Sequence, residues 1–472
     1  MGRTIFSVIA FLCGLCLVAP ARSQQPTPAP AGSADAANSE AMTFLRDLVK
    51  IDTSNPPGNE IKAANYIKSV LDREGIPSEI FESAPGRANL VARLKGNGSK
   101  KPLMLMGHLD VVGVERDKWT VDPFAAIEKD GYLYGRGSSD DKGMDAANLE
   151  IFLQLHRKKI PLDRDVILLA EAGEEGTSQF GINFMVAQHW DKIDCEYVLN
   201  EGGEFQMANG KLQYAGVATT EKVPRGMVLV AHGSSGHASI PRADNAIEHL
   251  GAALGKLLAW QPPMRLNETT REYFARMAKI GSAEDANLYS HLEDPAVQEK
   301  IRTTRLAQNS MLRTSVVPTI ISGGFRLNVI PAEAQATLDV RALPDENIEQ
   351  FMEMLSRVIA DPEIEVKRAS NIQPDRPAGS PSSIHNEMFE ALERSQARIF
   401  PGAVTLPIML PGATDSAQLR AKGVQAYGIG IPRTEDDASR VHGNDERVSI
   451  EALGKFVGFL NAAVIDVAAS RK

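Results

Sequence analysis

The chain has 472 residues, of which 43% are hydrophobic and 24% are charged, and its formal net charge is -9. A chain of this length is too long for one ordinary core, so we expect two globular domains. The acidic balance, without any long block of like charges, argues against a nucleic-acid partner.

The N-terminal segment is typical of a cleavable signal peptide. Arg3 precedes an uncharged, mainly apolar run at residues 5–19, and Ala21-Arg22-Ser23 offers the small residues of a cleavage site. A membrane anchor is the alternative, but a spanning helix needs roughly 20 apolar residues and this run is shorter. We predict removal of residues 1–23, secretion or periplasmic release, and no membrane contact of the mature chain. A Pro-, Ala- and Gly-rich flexible linker should follow at 24–39.

Cysteine usage leaves little room for disulfide or thiol chemistry. Cys13 and Cys16 lie in the predicted signal peptide, so Cys195 would be the only cysteine of the mature chain. A catalytic or metal-binding thiol is the alternative, but Cys195 stands beside an apolar run, where free cysteine usually behaves as a small buried hydrophobe.

Short apolar runs alternate with helical patterns in the first part of the chain. We predict strands at 89–94, 102–106, 166–170 and 197–200, with helices between them. This alternation indicates a partly parallel sheet with helices on both faces. Such sheets bind ligands at the carboxyl ends of their strands.

The pattern changes between about residues 226 and 369. Longer, alternating strands are predicted at Met227–His232 and Asn328–Ala342, with a charged helical segment at Thr269–Leu306 between them. We interpret 226–369 as an α+β domain inserted into a first domain made of 40–225 and 370–472. A helix at 383–398 and a strand at 424–431 should resume that first domain.

The predicted strands end in residues of metal-ligand type. The second strand runs into His108 and Asp110, and a His and an Asp two apart project to one side of an extended backbone. Asp110 can then accept a hydrogen bond from one imidazole nitrogen while the other nitrogen binds metal. On its own, this pair fits a buried histidine satisfied by a carboxylate equally well.

Other acids and a second histidine stand at similar places. Asp140 and Asp141 follow a glycine-rich turn before a helix, where one carboxylate could bridge two cations or simply cap the helix. Glu174 and Glu175 follow a strand and must point in different directions, so one can bind metal while the other holds water. Glu201 and His442 complete the set, although each motif alone is more typical of a solvated loop. Together, two His, a bridging Asp and two Glu give each of two zinc ions one nitrogen and two oxygens.

In combination and in order, the motifs resemble those of the dinuclear zinc exopeptidases and deacylases. That family includes glutamate carboxypeptidase, aminoacylase, carboxypeptidase S, acetylornithine deacetylase and succinyl-diaminopimelate desuccinylase. The resemblance extends from about Glu40 to the C-terminus and is carried by GHLDVV, GRGSSDDKG, EAGEEG, NEGG, GSSGHASIP, NVIPAEA with DVRALP, GATDS and VHGNDERV. It implies an α/β zinc-peptidase catalytic domain, whose mixed sheet is flanked by helices, interrupted by an inserted α+β ferredoxin-like lid and dimerisation domain.

The resemblance also implies roles for single residues. Asp140 would be the bridging ligand, Asp110 would orient His108, and Glu174 would be the general base. The Asp140-Asp141 peptide is commonly cis in such proteins. The implied metal ligands are His108, Asp140, Glu175, Glu201 and His442.

Residues of the inserted domain are implied in substrate binding. His237 would help to hold the oxyanion, often in the partner subunit's site, and Asn328 and Arg341 match substrate-binding positions. A guanidinium suits a carboxylate, although Arg341 could instead pair along its strand with Asp339 or Asp345. Backbone amides around Gly412 and Thr414 would complete the pocket. Ala417 stands where several relatives have Arg, so contacts there cannot be transferred.

We therefore predict an exported hydrolase with two zinc ions per subunit, cobalt or manganese being alternatives, that cleaves an amide bond next to a free carboxylate. A carboxypeptidase acting on small peptides is favoured, and an N-acyl-amino-acid amidohydrolase or a dipeptidase is the alternative, since the machinery is the same. A homodimer is expected. A non-catalytic zinc-binding protein is disfavoured because the ligands and Glu174 are all retained.

Overall fold

A computed structural model describes residues 39–369 and 375–470 of the chain. The predicted signal peptide at 1–23, and the predicted linker up to residue 38, lie outside the described residues. Ser39 caps the first helix, because its side chain accepts a hydrogen bond from the Ala41 amide. Within the described ranges, no helix combines the length and apolarity that crossing a bilayer requires.

The strands fall into one large sheet, a second sheet and three small ribbons. In chain order they are β1 Ser54–Asn55, β2 Ser78–Ala84, β3 Arg87–Leu94, β4 Leu103–His108, β5 Val111–Val112, β6 Ile127–Lys129, β7 Tyr132–Tyr134, β8 Val166–Glu171, β9 Tyr197–Asn200, β10 Glu204–Ala208, β11 Lys211–Glu221, β12 Val223–Pro224, β13 Met227–His232, β14 Gly236–His237, β15 Ser315–Gly323, β16 Val329–Ile330, β17 Glu333–Ala342, β18 Ile364–Arg368, β19 Val404–Leu410, β20 Gln425–Gly428 and β21 Arg447–Ser449.

The helices pack mainly on the two larger sheets. They are α1 Glu40–Val49, α2 Glu60–Arg73, α3 Lys142–Arg157, α4 Ile182–Gln188, α5 Trp190–Ile193, α6 Ala246–Ala259, α7 Glu268–Ile280, α8 Ala283–Ser290, α9 Pro295–Thr304, α10 Leu306–Met311, α11 Ile348–Ile359, α12 Glu387–Ile399, α13 Ser416–Ala421, α14 Glu435–Ser439 and α15 Ile450–Ala468, with a 3-10 turn at Arg116–Lys118.

The large sheet has nine strands in the order β10-β11-β20-β9-β4-β8-β3-β2, with β19 paired to β11. Its centre, β20-β9-β4-β8, is parallel, and antiparallel strands extend it on both sides. Every residue of β4, β8 and β9 is buried, as expected for central strands covered on both faces. The sheet is therefore the mixed α/β sheet that the sequence predicts.

Alternate residues of the central strands enter two separate cores. Leu105 packs into the layer that holds α1, α2, α3, α12 and α15, and Met106 packs into the layer of α4, α5 and α13. Cys195 is buried in the second layer, and this burial raises the pKa of its thiol, as expected for an inert core cysteine.

The second sheet lies within the predicted insertion. Its strands run in the order β15-β17-β13-β18, with β12 also paired to β17, and all pairs are antiparallel. Helices α6 and α11 pack on one face of this sheet through apolar residues that include Leu250, Phe351 and Leu355. The chain passes from the large sheet to this second sheet near β12, and it returns after β18.

Several predicted boundaries differ from those in the structure. The strand predicted at Asn328–Ala342 is divided into β16 and β17, and the strand predicted at 424–431 is the shorter β20. The helix predicted from residue 383 begins at Glu387, because the Asn386 side chain accepts the amide hydrogens of Met388 and Phe389 and caps it there.

The charged helical segment consists of several short helices and packs on the large sheet. Phe274 of α7 and Tyr289 of α8 share a core with Leu406 and Ile408 of β19. The amphipathic pattern of the segment predicts helices, but the pattern carries no information about which sheet the apolar faces cover.

Candidate metal centre and active site

The residues of ligand type meet at one edge of the large sheet. His108 is the last residue of β4, Glu201 follows β9, and Glu174 and Glu175 follow β8. Because these three strands are parallel neighbours, their carboxyl ends lie side by side. The Asp140-Asp141 peptide before α3 is cis, as the resemblance implies.

Asp140 lies between the two histidines. Its Oδ1 is 3.0 Å from Nε2 of His108, and its Oδ2 is 3.1 Å from Nε2 of His442. Nε2 of His442 is also 3.0 Å from Oε1 of Glu175, and Nε2 of His108 is 4.0 Å from Oε1 of Glu201. The carboxylate therefore presents one oxygen to each of two ligand clusters.

Each cluster has the composition of a zinc site. One contains His108, Asp140 and Glu201, the other contains Asp140, Glu175 and His442, and the ligand atoms of each lie within 4.8 Å of one another. One imidazole nitrogen and two carboxylate oxygens leave room for a further ligand on a tetrahedral ion. The donor sets thus fit two divalent cations that share Asp140.

The electrostatics of the site also fit cations. Burial, followed by the charge of Asp140, raises the pKa of Glu201 to about 8. Hydrogen bonds to Asp140 and Glu175 raise the pKa of His442 to about 10. Protons are therefore held where carboxylates crowd together, and divalent ions would replace those protons as the compensating charge.

Glu174 lies in a turn whose backbone is held by the Asp110 carboxylate. The Asp110 carboxylate accepts the amide hydrogens of Glu174 at 3.1 Å and of Glu175 at 3.2 Å, and it also accepts Nδ2 of Asn55 at 2.7 Å. Burial, with the charges of Glu201 and Asp415, raises the pKa of Glu174 well above its ordinary value. Glu174 belongs to neither ligand cluster, so its carboxyl group is available for proton transfer.

Asp110 contacts His108 through its backbone carbonyl as well as through its carboxylate. Nδ1 of His108 lies 3.0 Å from the backbone carbonyl of Asp110 and 3.6 Å from its carboxylate. A carbonyl can only accept, so this contact places a proton on Nδ1, and Nε2, which faces Asp140 at 3.0 Å, is the nitrogen that would bind metal. The carboxylate also holds the Glu174-Glu175 turn, a role that the sequence analysis missed.

Glu446 is a second residue whose role the sequence analysis missed. Its buried carboxylate pairs with Arg136 at 2.7 Å and accepts the amide hydrogens of Gly137, Ser139 and Asp140 at 3.0, 2.9 and 3.1 Å. Because Glu446 follows His442 closely in the chain, these bonds join the His442 loop to the Asp140 loop. The motif VHGNDERV contains the residue, but no spacing rule shows that it accepts distant backbone amides.

Two cavities share four of their lining residues, which are Glu174, Glu175, Ala413 and His442. The larger, of about 530 Å³, has additional apolar walls, formed by Met144, Leu410, Ile429, Ile431 and Val441. The smaller, of about 330 Å³, is polar, and its walls include Asn183, Arg341, Asp375, Arg376 and Gln418.

The predicted substrate-binding residues of the main domain reach the larger cavity. Gly412 and Thr414 both line it. The Thr414 amide, however, donates to Oε1 of Glu221 at 3.0 Å, and its hydroxyl donates to Oε2 at 2.9 Å. This amide is therefore occupied within the protein, which removes it from the set of donors expected for substrate.

Of the substrate-binding residues predicted in the inserted domain, one lines a cavity and two do not. Arg341 lines the smaller cavity, and it also pairs with Asp339 at 2.8 and 3.1 Å, the strand pair considered as its alternative. His237 is exposed and bonds to Ser239, and the Asn328 carbonyl accepts the Ala238 amide beside it. Neither His237 nor Asn328 is among the residues that line the two cavities.

Comparison with known proteins gives a consistent family match. The family model described as "Peptidase family M20/M25/M40" matches residues 104–466. The chain is 29% identical over 441 residues to an N-fatty-acyl-amino acid synthase/hydrolase of Homo sapiens, covering 89% of this chain and 86% of that protein. It is 30% identical over 383 residues to "Probable carboxypeptidase S-like 2" of Dictyostelium discoideum, covering 79% of this chain and 73% of that protein.

The fold is also found among solved structures. An M20 family metallo-carboxypeptidase from Sulfolobus solfataricus superposes with a TM-score of 0.67 at 20% sequence identity. The match covers 90% of this chain and 99% of that one. At this identity the likeness concerns the fold.

Proposed function

Because this chain belongs to peptidase family M20/M25/M40, we propose that it is an exported hydrolase that uses two zinc ions to cleave an amide bond next to a free carboxylate. Membership of the family makes the chain a metal-dependent hydrolase of the peptidase or amidohydrolase type. The observation that carries the finer proposal is the position of Asp140, which offers one oxygen to each of two clusters of zinc-ligand type.

The proposed ligands are those named from the sequence, and Glu174 is the proposed general base. Zinc ions bound there would polarise the amide carbonyl and make a bound water more acidic. Glu174 accepts a proton from the attacking water and delivers it to the leaving nitrogen, so that the amine departs neutral. The bonds from its turn to Asp110 fix its position during both transfers, and burial, with the charges of Glu201 and Asp415, raises its pKa and so favours the protonated state that follows the first transfer.

The two cavities suggest how the substrate lies. The amide bond would sit at Glu174 and His442, which line both cavities. The apolar walls of the larger cavity, which Arg433 also lines, suit the acyl side of the bond. The two guanidinium groups in the smaller cavity suit the carboxylate of the leaving amino acid. A carboxypeptidase acting on peptides with an apolar penultimate residue fits this arrangement.

Hydrolysis of N-acyl amino acids is a second candidate. A long apolar acyl group would fill the larger cavity as well as an apolar side chain would, and the human relative is named as an N-fatty-acyl-amino acid synthase/hydrolase. The two candidates use the same catalytic groups and differ only in what the acyl side carries.

We expect the zinc-reconstituted mature protein to hydrolyse substrates with a free carboxylate at least about tenfold faster, by kcat/KM, than the same substrates as carboxamides, because a charged hydrogen bond is lost in the carboxamide. The measurement is a panel of blocked dipeptides and N-acyl amino acids, each paired with its carboxamide. Equal rates on both members of every pair would contradict the proposal. The ratio of dipeptide to acyl-amino-acid turnover decides between the two candidates.

We further propose that residues 226–369 act as a ferredoxin-like lid and dimerisation domain. The strand order β18-β13-β17-β15 and the two helices on one face support the first point. The edge strand β15 exposes Val317, Ile320 and Ile321, which supports pairing with a second copy. His237 and Asn328 would then enter the partner's cleft. Sedimentation should show a dimer that Ile320→Lys converts to monomer, and a monomeric wild-type protein would refute this.

A further inference from the structure

A guanidinium that the sequence motifs do not include enters the smaller cavity. Arg376 lines this cavity, and only 19% of its side chain is exposed. Its Nη2 lies 3.8 Å from Oε1 of Glu174, and its Nη1 lies 3.5 Å from Oδ1 of Asp415. Both distances exceed the 2.7–2.9 Å that is typical of charge-assisted hydrogen bonds, so most of its donors remain available.

The other guanidinium of the cavity is held more tightly. Arg341 makes two hydrogen bonds, at 2.8 and 3.1 Å, to both oxygens of Asp339 on its own strand. This fork geometry uses one edge of the guanidinium and offsets its charge. Asp415, by contrast, does not contact Arg376 alone, since its Oδ1 also accepts a hydrogen bond from the Ser178 hydroxyl at 2.5 Å.

The backbone of Arg376 is anchored between the two sheets. Its carbonyl accepts a hydrogen bond from Nη1 of Arg225 at 2.7 Å. Arg225 lies between β12 and β13, where the chain enters the second sheet, and Arg376 lies beyond β18, where the chain returns to the large sheet. This hydrogen bond therefore joins the two crossings. The guanidinium of Arg376 extends from this junction and not from a strand of the second sheet.

The charges around the cleft create a need for such a group. A substrate carboxylate beside the amide bond would lie near Glu174 and Glu175, and these acids would repel it. Arg376 carries a positive charge within 4 Å of Glu174, and its planar fork can bind a carboxylate through two parallel bonds.

We propose that Arg376 is a specificity-determining residue that binds the free carboxylate of the leaving amino acid, on the polar side of the cleft. This inference rests on the proposed function and adds a residue to it. The positive charge of the neighbouring Arg341 would then already be offset by Asp339.

The test measures carboxylate selectivity in variants of Arg376. Each variant is given one N-acyl amino acid and its carboxamide, and selectivity is the ratio of the two kcat/KM values. We expect Arg376→Gln to lower this ratio about 10- to 100-fold, mainly through KM for the free acid. Arg376→Lys keeps the charge but loses the fork and should fall between. Arg357→Gln, on the exposed face of α11, is the matched control and should leave the ratio unchanged.

Several outcomes would overturn the proposal. An equal loss on both substrates in Arg376→Gln and Arg376→Lys, at unchanged metal content, would show a merely structural role. A full loss of selectivity in Arg341→Gln, with none in Arg376→Gln, would assign the carboxylate to Arg341. If Arg376→Gln fails to fold, Arg376→Ala with added guanidinium ion replaces it, and restored turnover of the free acid alone supports the proposal. A wild-type enzyme without selectivity would refute the proposed function itself, before any variant is made.

Discussion

Replacing Glu174 with Ala should lower kcat by about 100- to 10,000-fold, the usual contribution of a general acid-base group, while both metal positions stay filled. Glu174 lies in neither ligand cluster, but its turn is fixed by Asp110 beside the cluster of His108. Loss of its carboxyl group removes the proton acceptor without removing a ligand. The measurement is steady-state turnover of the best substrate of the panel, together with metal content per chain.

The neighbouring glutamate gives the sharpest contrast to this variant. Glu175 is a proposed ligand within hydrogen-bond distance of His442, so Glu175→Ala should lose metal as well as activity. Glu174→Gln, which keeps the shape of the side chain, should behave like Glu174→Ala. Glu349→Ala on the exposed surface of α11 serves as the control and should be fully active. Substantial turnover by Glu174→Ala would refute the base assignment.

The fold class and the clustering of the ligands could be predicted because both depend on sequence-local signals. The apolar runs of β4, β8 and β9 are buried along their whole length, so they appear as uninterrupted runs in the sequence. Parallel strands end at one edge of a sheet. The residues that follow these runs must therefore converge, whatever the conformation of the loops between them.

The residues that hold the loops in place could not be predicted in the same way. Glu446 accepts hydrogen bonds from three backbone amides of a loop that is about 300 residues away in the chain. The Asp110 carboxylate, which follows β4, holds the turn that follows β8. Backbone amides are the same whatever the residue type, so the sequence does not show which amides point at a given carboxylate. Their direction is known only when the loops are placed. The left-handed backbone of His442, with φ of 60°, is likewise set by its surroundings and not by its residue type.

The same reasoning explains why Arg376 and the surface on which the helices at 268–304 pack were not predicted. Arg376 belongs to no motif, and it reaches the cleft only because the two crossings between the sheets touch. The amphipathic helices predict an apolar partner surface, which turns out to be β19 of the large sheet.

Replacing Asp140 should have the largest effect on metal binding, because its carboxylate contacts both clusters. In Asp140→Ala we expect fewer than two ions per chain and a loss of activity of about 1000-fold or more, since metal activation contributes several kcal/mol to the barrier. His442→Ala removes a ligand from one cluster only, and it should retain the ion held by His108 and Glu201.

Metal content per chain, measured after dialysis against buffered zinc, separates these variants from one another. Asp345→Asn, at an exposed position of the inserted domain, should bind the wild-type amount. Zinc should also raise the melting temperature of the wild type in proportion to the logarithm of its free concentration, because ions that bind only the folded chain stabilise it. This increase should be smaller in His442→Ala and smallest in Asp140→Ala. An Asp140→Ala protein that kept two ions and normal turnover would show that this carboxylate bridges nothing, and the dinuclear site would have to be abandoned.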